Sequence, residues 1–505
     1  MNRNAKTEEK RIKERWIKAA EPVFVAVSFI VLASLLLYGM VVKEFWFDEM
    51  AILGFISTED HIVGMLRYYL TVETTNLPLF ALIIYPLYHL LPTNEGLLLI
   101  PGVMMTLAGV ALLYRYAREE YGKIAGCSLL ALSMCSTTII NRIGIELRAY
   151  CLMFFSVCLI LYLERRRERN PEKRGDVWIW IASFLLVFSH YFGVLFFGCV
   201  ALLHLARVIA KKEKPLVLLP YVVNGILFLV WFVLTRLHTI VNENGFWILP
   251  PEIKDIFECI GYLLGGSYIY CVLYGICFVA VAVRVCKRRE FLSFSALLLY
   301  APVVIIGGIY IYSKYLTTGG GLFEDRYFIA LLPCLLLTVA RGFAIVFSWL
   351  QKQKTALYYG TAVLVVLMMA FSVFLCYKRA FSDLNLQVEH YTYSISYMKE
   401  EGVLVEEGTP REDALLLISY YDPLDEAVVR GWYDYYIRKP GLSVSDTVWI
   451  NNGNLDDVFE TCEEKYRNIY VWGDLWHRNF DEDIYQLMEE WEYARFSMFE
   501  RIAEE

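Results

Sequence analysis

Long apolar runs separated by short clusters of lysine and arginine fill this 505-residue chain up to Lys378. That pattern constrains the fold more than any other feature. A run of about 20 apolar residues crosses ~30 Å of hydrocarbon as a helix, which satisfies its own backbone hydrogen bonds where no water is present. The composition agrees: 57% of the residues are hydrophobic and 20% charged, against roughly 45–50% apolar in soluble domains. The chain therefore reads as a polytopic membrane protein.

The basic clusters orient the runs. Seven Lys or Arg against three Glu lie before Glu21, the first span Pro22–Val42 follows, and no small-residue cleavage site comes after it, so a retained signal anchor is expected. Further clusters lie at Arg165 to Arg174, Arg207 to Lys214 and Arg284 to Arg289, with a weaker one at Lys352 and Lys354. Each is assigned to the cytoplasm, together with the N-terminus (1–21). Between them run Leu97–Ala117, Ile124–Ile140, the span that Glu146 opens and that ends near Leu163, a hairpin over Val177–Ala210, Leu216–Arg236, Tyr268–Cys286, Phe291–Tyr312, Tyr327–Trp349 and Ala356–Tyr377. Leu77–Leu91 is short and interrupted by Pro78, Pro86 and Pro92, which suits a re-entrant or partial span. The count is about eleven transmembrane helices over 22–378. Within the outer first loop, 43–76, Asp60 to Val72 mixes apolar and polar residues as an interfacial helix does.

The tail has the opposite charge. Arg379–Glu505 holds 28 acidic and 11 basic residues, leaving 26 of the 54 acids and 36 of the 47 bases for the rest. Parity places this acidic tail outside. Asp413–Ser419, Thr447–Ile450 and Asn468–Trp472 read as strands, and Leu424–Ile437, Leu455–Lys465 and Asp481–Glu492 as helices, which predicts a small extracytoplasmic α/β domain over 379–505. Of the twelve Cys, those in the spans behave as small hydrophobes, and no spacing suggests a zinc site.

Topology gathers a set of polar residues on the outer side: Asp48, Glu49, Asn76, Glu146, Arg148, His190, Asp325 and Arg326. Asp48-Glu49 follow Phe45-Trp46-Phe47, an aromatic anchor for the membrane interface. Solvated acids beside a span are common, so the pair alone does not mark a site. Glu146 and Arg148 stand at a bilayer edge, where charge is costly unless paired or hydrated. Two residues apart on a helix they diverge, so each needs another partner. His190 turns a tight helical hairpin, a place where a satisfied structural histidine is the commoner outcome. Asp325-Arg326-Tyr327 opens another span, preceded by Gly319-Gly320-Gly321, a candidate lid hinge.

In their order along residues 20 to 350 these pieces resemble the integral-membrane GT-C glycosyltransferases, in particular the polyprenyl- or dolichyl-phosphate-mannose-protein mannosyltransferases and the lipid A aminoarabinose transferases. The matching pieces are Phe47-Asp48-Glu49, Glu146-Leu147-Arg148-Ala149-Tyr150, His190-Tyr191-Phe192-Gly193 and Asp325-Arg326-Tyr327 before Leu332-Pro333. Asn76-Leu77-Pro78-Leu79 stands where the family tends to have His-Pro-Pro-Leu, a departure that loses an imidazole. The tail lies outside the resemblance.

The resemblance implies a GT-C-like fold in the plasma membrane and inverting sugar transfer on its outer face. The donor would be a polyprenyl-phosphate sugar and the acceptor a hydroxyl of a glycan, lipid or protein; no nucleic-acid partner is expected. In it Asp48 is the general base, with Glu49 and Glu146 as further candidate catalytic groups. Arg148 or Arg326 holds the departing phosphate, and Asn76, Tyr150, His190, Tyr191, Asp325 and Tyr327 line the substrate. His190 with a carboxylate is also a candidate for a divalent cation. Two rivals remain. A transporter or flippase would favour charges at span centres and an inverted repeat, and neither is evident. A membrane anchor presenting an acidic recognition domain would make the tail essential and Asp48 replaceable.

Overall fold

The computed structural model describes residues 2–57, 61–73, 76–169, 177–235, 248–266, 268–317, 321–352, 391–420, 423–451, 465–473, 485–491 and 496–501, with single positions at 371, 374 and 378. The helices follow in the order α1 (Asn2–Val42), α2 (Phe47–Ser57), α3 (Ile62–Thr71), α4 (Leu79–Leu90), α5 (Glu95–Tyr121), α6 (Lys123–Cys135), α7 (Tyr150–Arg169), α8 (Val177–Ser189), α9 (Tyr191–Ile209), α10 (Leu219–Leu234), α11 (Ile253–Leu264), α12 (Tyr268–Arg288), α13 (Phe294–Ile311) and α14 (Leu332–Leu350). Two more, α15 (Tyr391–Glu400) and α16 (Pro423–Tyr433), lie in the tail. The chain forms two compact units: one of residues 1–39, 74–80 and 100–382, the other of 40–73, 81–99 and 383–505.

In the first unit the spans are as apolar as the sequence requires. Among the described residues seven helices are long and apolar enough to cross a membrane: Glu21–Val42, Glu95–Tyr121, Tyr191–Ile209, Pro215–Leu234, Tyr268–Arg288, Phe294–Leu316 and Asp325–Leu350. An eighth is the pair Lys123–Cys135 and Thr138–Gly144, bent by 70° where a straight Ile124–Ile140 was expected. Of the other expected crossings, α7 runs 20 residues into Arg166, Arg167 and Arg169, α8 is a shorter apolar helix of 13, and Ala356–Tyr377 falls outside the described segments. The expected Leu77–Leu91 segment is α4, 12 residues with Pro86 inside, and the expected interfacial segment is α3.

The innermost span is α14, buried along most of its length and packed on α12 and α6. Outer helices instead expose apolar residues a turn apart, Val222, Ile226, Leu229 and Val233 on α10 and Ile269, Val272, Ile276 and Val279 on α12. Apolar stripes of that extent would be unstable in water and match a lipid contact. The protein is multi-pass.

The second unit carries a five-stranded sheet in the order β4-β2-β5-β7-β6. Strands β2 (Ala414–Tyr420), β4 (Asp446–Asn451) and β5 (Asn468–Gly473) are parallel, and α16 connects β2 to β4 as parallel pairing demands. β6 (Tyr485–Trp491) and β7 (Phe496–Arg501) complete it as an antiparallel pair, and β1 (Leu404–Val405) with β3 (Ser443–Val444) forms a small separate ribbon.

This corrects one expectation, since within the segment read as a helix over Asp481–Glu492 the described residues Tyr485–Trp491 form strand β6. Ile484, Leu487, Met488 and Trp491 recur at helical spacing, but pairing with β7 overrides that local pattern. Of the expected helix Leu455–Lys465 only Lys465 is among the described residues, and the hinge residues Gly319 and Gly320 lie outside the described segments. Helix α2 is buried from Glu49 to Ser57, against α16. Glycines at the crossing permit this: a Cβ on Gly54 would stand 1.8 Å from the Ala427 carbonyl oxygen, and one on Gly431 2.1 Å from that of Met50.

Candidate active site

The expected site residues fall into two groups, one in each unit. In the membrane unit the break after Cys135 begins with Ser136-Thr137-Thr138, residues whose hydroxyls compete with helical hydrogen bonding. Ser136 donates to the Leu263 carbonyl at 3.1 Å and Thr138 to that of Tyr262 at 2.6 Å, so α11 is stitched to the bend. The chain then makes one wide helical turn, Thr138–Gly144, and enters α7 through Glu146–Ala149.

Glu146 is buried, and its partner is Arg142 one turn earlier, at 3.6 Å. Sequence reasoning passed over Arg142, although an Arg four residues before a Glu is a legible signal. Arg148 is half-buried with its guanidinium 5.9 Å from the Tyr150 ring. Tyr150, the first residue of α7, is 1% exposed, and its hydroxyl finds no hydrogen-bond partner among the described residues.

His190 sits between α8 and α9, in the turn rather than in either span. Its backbone is extended and its Nδ1 accepts the Phe192 N–H at 3.2 Å, which caps α9. Gly193 lets the two helices approach there, because a Cβ would meet the Leu186 carbonyl oxygen at 2.6 Å. With Nδ1 an acceptor, the neutral ring carries its proton on Nε2. The surroundings favour that neutral form: burial among protein atoms, then the charges of Arg148 and Arg326, push the imidazole down to about 3. The ring keeps some exposure, so the solvated part offsets some of this effect.

Around His190 close three aromatic rings: Tyr150 at 5.6 Å, Tyr327 at 5.6 Å and Phe192 at 6.0 Å. Tyr327 stacks in turn on Phe192 at 5.2 Å, and the Arg326 guanidinium lies 5.8 Å from the Tyr327 ring. Arg326 also approaches Glu324 at 3.6 Å. The expected Arg148, Tyr150, His190, Arg326 and Tyr327 therefore form one cluster. Other expected members lie elsewhere: Tyr191 packs on Phe228 at 6.1 Å, Asp325 hydrogen-bonds the buried thiol of Cys259, and Asn76 is half-buried in the turn before α4.

A second polar cluster occupies the other ends of α7 and α9. Tyr150 and Glu164, and His190 and His204, are each 14 positions apart, or about 21 Å of helix. There Glu164 meets Arg167 at 2.5 Å, His204 at 3.2 Å and the Tyr221 hydroxyl. His204 also meets Glu213 at 2.7 Å, and Arg207 binds Glu213 at 3.1 Å, the Leu292 carbonyl at 2.7 Å, and Glu168. Every charge in this group has a close partner of opposite sign.

In the second unit Asp48 and Glu49 form the first turn of α2, where acids favour the helix dipole. They differ in surroundings. Glu49 is 0% exposed, and Lys43 Nζ reaches both its carboxylate oxygens at 2.6 Å, while Trp46 N–H donates to Oε2 at 3.0 Å. Asp48 is half-buried and remains the more accessible acid. The chain leading to it is tied down: Glu44 accepts from the Thr392 hydroxyl, and buried Phe45 packs on Tyr435 at 6.1 Å. Sequence reading did not single out Lys43.

Among the described residues no group of three or more His, Cys, Asp or Glu is placed to hold a metal ion.

No protein-family model matches the chain, and no curated protein matches it in sequence. Solved structures do. ArnT from Cupriavidus metallidurans in the apo state is similar with a TM-score of 0.54 at 12% identity, over 96% of this chain and 98% of that one. ArnT from the same organism bound to undecaprenyl phosphate gives a TM-score of 0.56 at 12% identity, over 94% and 97%.

Proposed function

We propose that this chain, whose fold is that of the GT-C glycosyltransferase ArnT, moves a sugar from a polyprenyl-phosphate carrier to an acceptor hydroxyl on the outer face of the membrane. The observation that carries the reading is the buried Tyr150 hydroxyl, which finds no hydrogen-bond partner among the described residues, near Arg148 and Arg326 and beside a neutral His190. A buried polar group left unsatisfied costs about 1–3 kcal/mol. Here the cost is offset when an acceptor-rich anion enters. Two guanidiniums, a phenol and an Nε2–H are donors alone or donors first, and a phosphate monoester offers only acceptors. That an ArnT structure holds undecaprenyl phosphate supports the same ligand class for this chain.

The reaction follows from the assigned groups. Asp48 removes the proton of the acceptor hydroxyl as its oxygen bonds to the anomeric carbon. The bond from that carbon to the phosphate oxygen breaks, and the electron pair leaves with the polyprenyl phosphate. Arg148 and Arg326 stabilise the charge that grows on the leaving phosphate, the step where fixed donors contribute most. The neutral ring of His190 adds a hydrogen bond without acting as an acid near pH 7. Glu146, paired with Arg142, holds the bend that presents Arg148. Each group is assigned by the surroundings within its own unit.

Transfer from undecaprenyl-phosphate-linked mannose or aminoarabinose by purified protein tests the reading. Asp48→Asn is expected to lower turnover by about 10²–10⁴-fold, the usual contribution of a general base, with expression and insertion retained. Transfer that survives this change would remove Asp48 from the chemistry. The transporter reading has less support, because the buried charges at the far ends of α7 and α9 are mutually paired instead of lining a path.

A further inference from the structure

We infer that Lys43 and Glu49 form a positioning pair that fixes the direction of the Asp48 carboxylate; neither is a catalytic residue. The inference rests on the transferase reading for its meaning and on local geometry for its substance. Lys43 is 5% exposed and Glu49 0%. Both carboxylate oxygens of Glu49 take the same ammonium at 2.6 Å, and Oε2 also accepts the Trp46 N–H at 3.0 Å. Glu49 thus reaches back three residues to close the first turn of α2, as the acid of a capping box does. The Trp46 carbonyl in turn accepts from the N–H of Glu49 at 2.9 Å and of Met50 at 3.0 Å.

Asp48 is enclosed in sequence by this ring of contacts. Residues on its two sides are immobilised: Trp46 by its N–H and carbonyl, Phe45 by burial, Glu49 by the ion pair. Lys43 is the first residue after α1, and the pair closes the short loop 43–46 onto the first turn of α2. A carboxylate on an ordinary interfacial loop would sample many directions. A general base must instead lie within hydrogen-bond reach of one proton, and a displacement of about 1 Å costs on the order of 10²-fold.

A buried ion pair gives weak stabilisation for the desolvation it costs, and apolar replacement of both partners is commonly tolerated. That property separates positioning from mere structure. Lys43→Met alone leaves a buried carboxylate without its counter-ion and risks misfolding, so the deciding variant is Lys43→Met with Glu49→Met. Two readouts apply, hydrogen exchange of the amides in residues 46–50 and turnover with undecaprenyl-phosphate-linked mannose and aminoarabinose.

The double variant is expected to fold and insert, to exchange amides 46–50 about tenfold faster or more, and to lose about 10- to 100-fold in kcat with KM for the donor little changed. Lys43→Arg, which keeps the charge, is expected to retain most of the turnover. Wild-type exchange across 46–50 in the double variant, or wild-type kcat, overturns the inference. A wild-type protein inactive with both donors counts against the transferase reading, and the exchange measurement then still decides whether the pair holds this turn.

Discussion

Two polar clusters sit on the same two helices, α7 and α9, at opposite ends, and they are built on different principles. At the Glu164–His204 end every charge meets a partner, through contacts of 2.5–3.2 Å and through Tyr221 and Leu292. At the Tyr150–His190 end the ring contacts run from 5.2 to 6.0 Å, two guanidiniums lie near 6 Å from tyrosine rings, and the Tyr150 hydroxyl has no described partner. A saturated network stabilises the fold it belongs to. At the other end the described contacts are ring contacts around a buried hydroxyl, and within the membrane unit that difference marks the candidate site better than the mere presence of charge.

Breaking the saturated end should have the largest effect. Glu164→Ala leaves Arg167 buried with one fewer acid, and such a change is expected to cost about 3–5 kcal/mol, read as a lowered Tm in detergent. Donor KM in the protein that remains folded should stay near wild type. An unchanged Tm would mean that the network is not holding α7 to α9.

At the donor-rich end the signs reverse. Tyr150→Phe removes a hydroxyl without a partner, so Tm should hold or rise, while affinity for undecaprenyl phosphate falls by about 1–2 kcal/mol, or roughly 5- to 30-fold. A loss of stability equal to the loss of affinity would make that hydroxyl structural. Comparing the two variants by melting and by lipid binding sets the two clusters side by side.

His190 gives the smallest and most specific effect. Its folded value of about 3 lies below the ordinary 6.5, so between those values the unfolded chain binds a proton that the folded chain refuses. Stability is therefore complete above about pH 6.5, declines as pH falls below it, and levels near the folded value. His190→Gln should flatten the fall in Tm between about pH 7 and about pH 5. A steeper fall in the variant would reverse the assignment of the neutral ring.

Much of this was legible in the sequence, for identifiable reasons. Spans announce themselves by length and apolarity, so the helical hairpin at His190 and the run after Asp325 could be placed from the chain alone. The three parallel strands were legible as apolar runs, since a central strand is buried on both faces, and β2 and β5 are buried almost throughout. What failed was pairing. The strand Tyr485–Trp491 exists because β7 lies beside it, and no local signal in a glutamate-rich segment reports a neighbour.

Among the site residues, the ring contact of Tyr191 was not legible for a similar reason. Adjacent to His190 in sequence, it faces Phe228 because neighbours on a helix diverge by about 100°. Lys43 stayed hidden because a lysine at the end of a span looks the same whether it snorkels to water or meets a buried acid six residues later. Arg142 could have been found from its spacing to Glu146.

The central claim is that the cluster of Arg148, Tyr150, His190, Arg326 and Tyr327 receives a polyprenyl phosphate. Native mass spectrometry of the purified protein with undecaprenyl phosphate, set beside the variant Arg148→Ala with Arg326→Ala, tests it most directly. The account predicts a bound lipid on the wild-type protein and at least about 10²-fold weaker binding in the folded variant, the cost of two charge-assisted contacts. Equal occupancy in both proteins would contradict it.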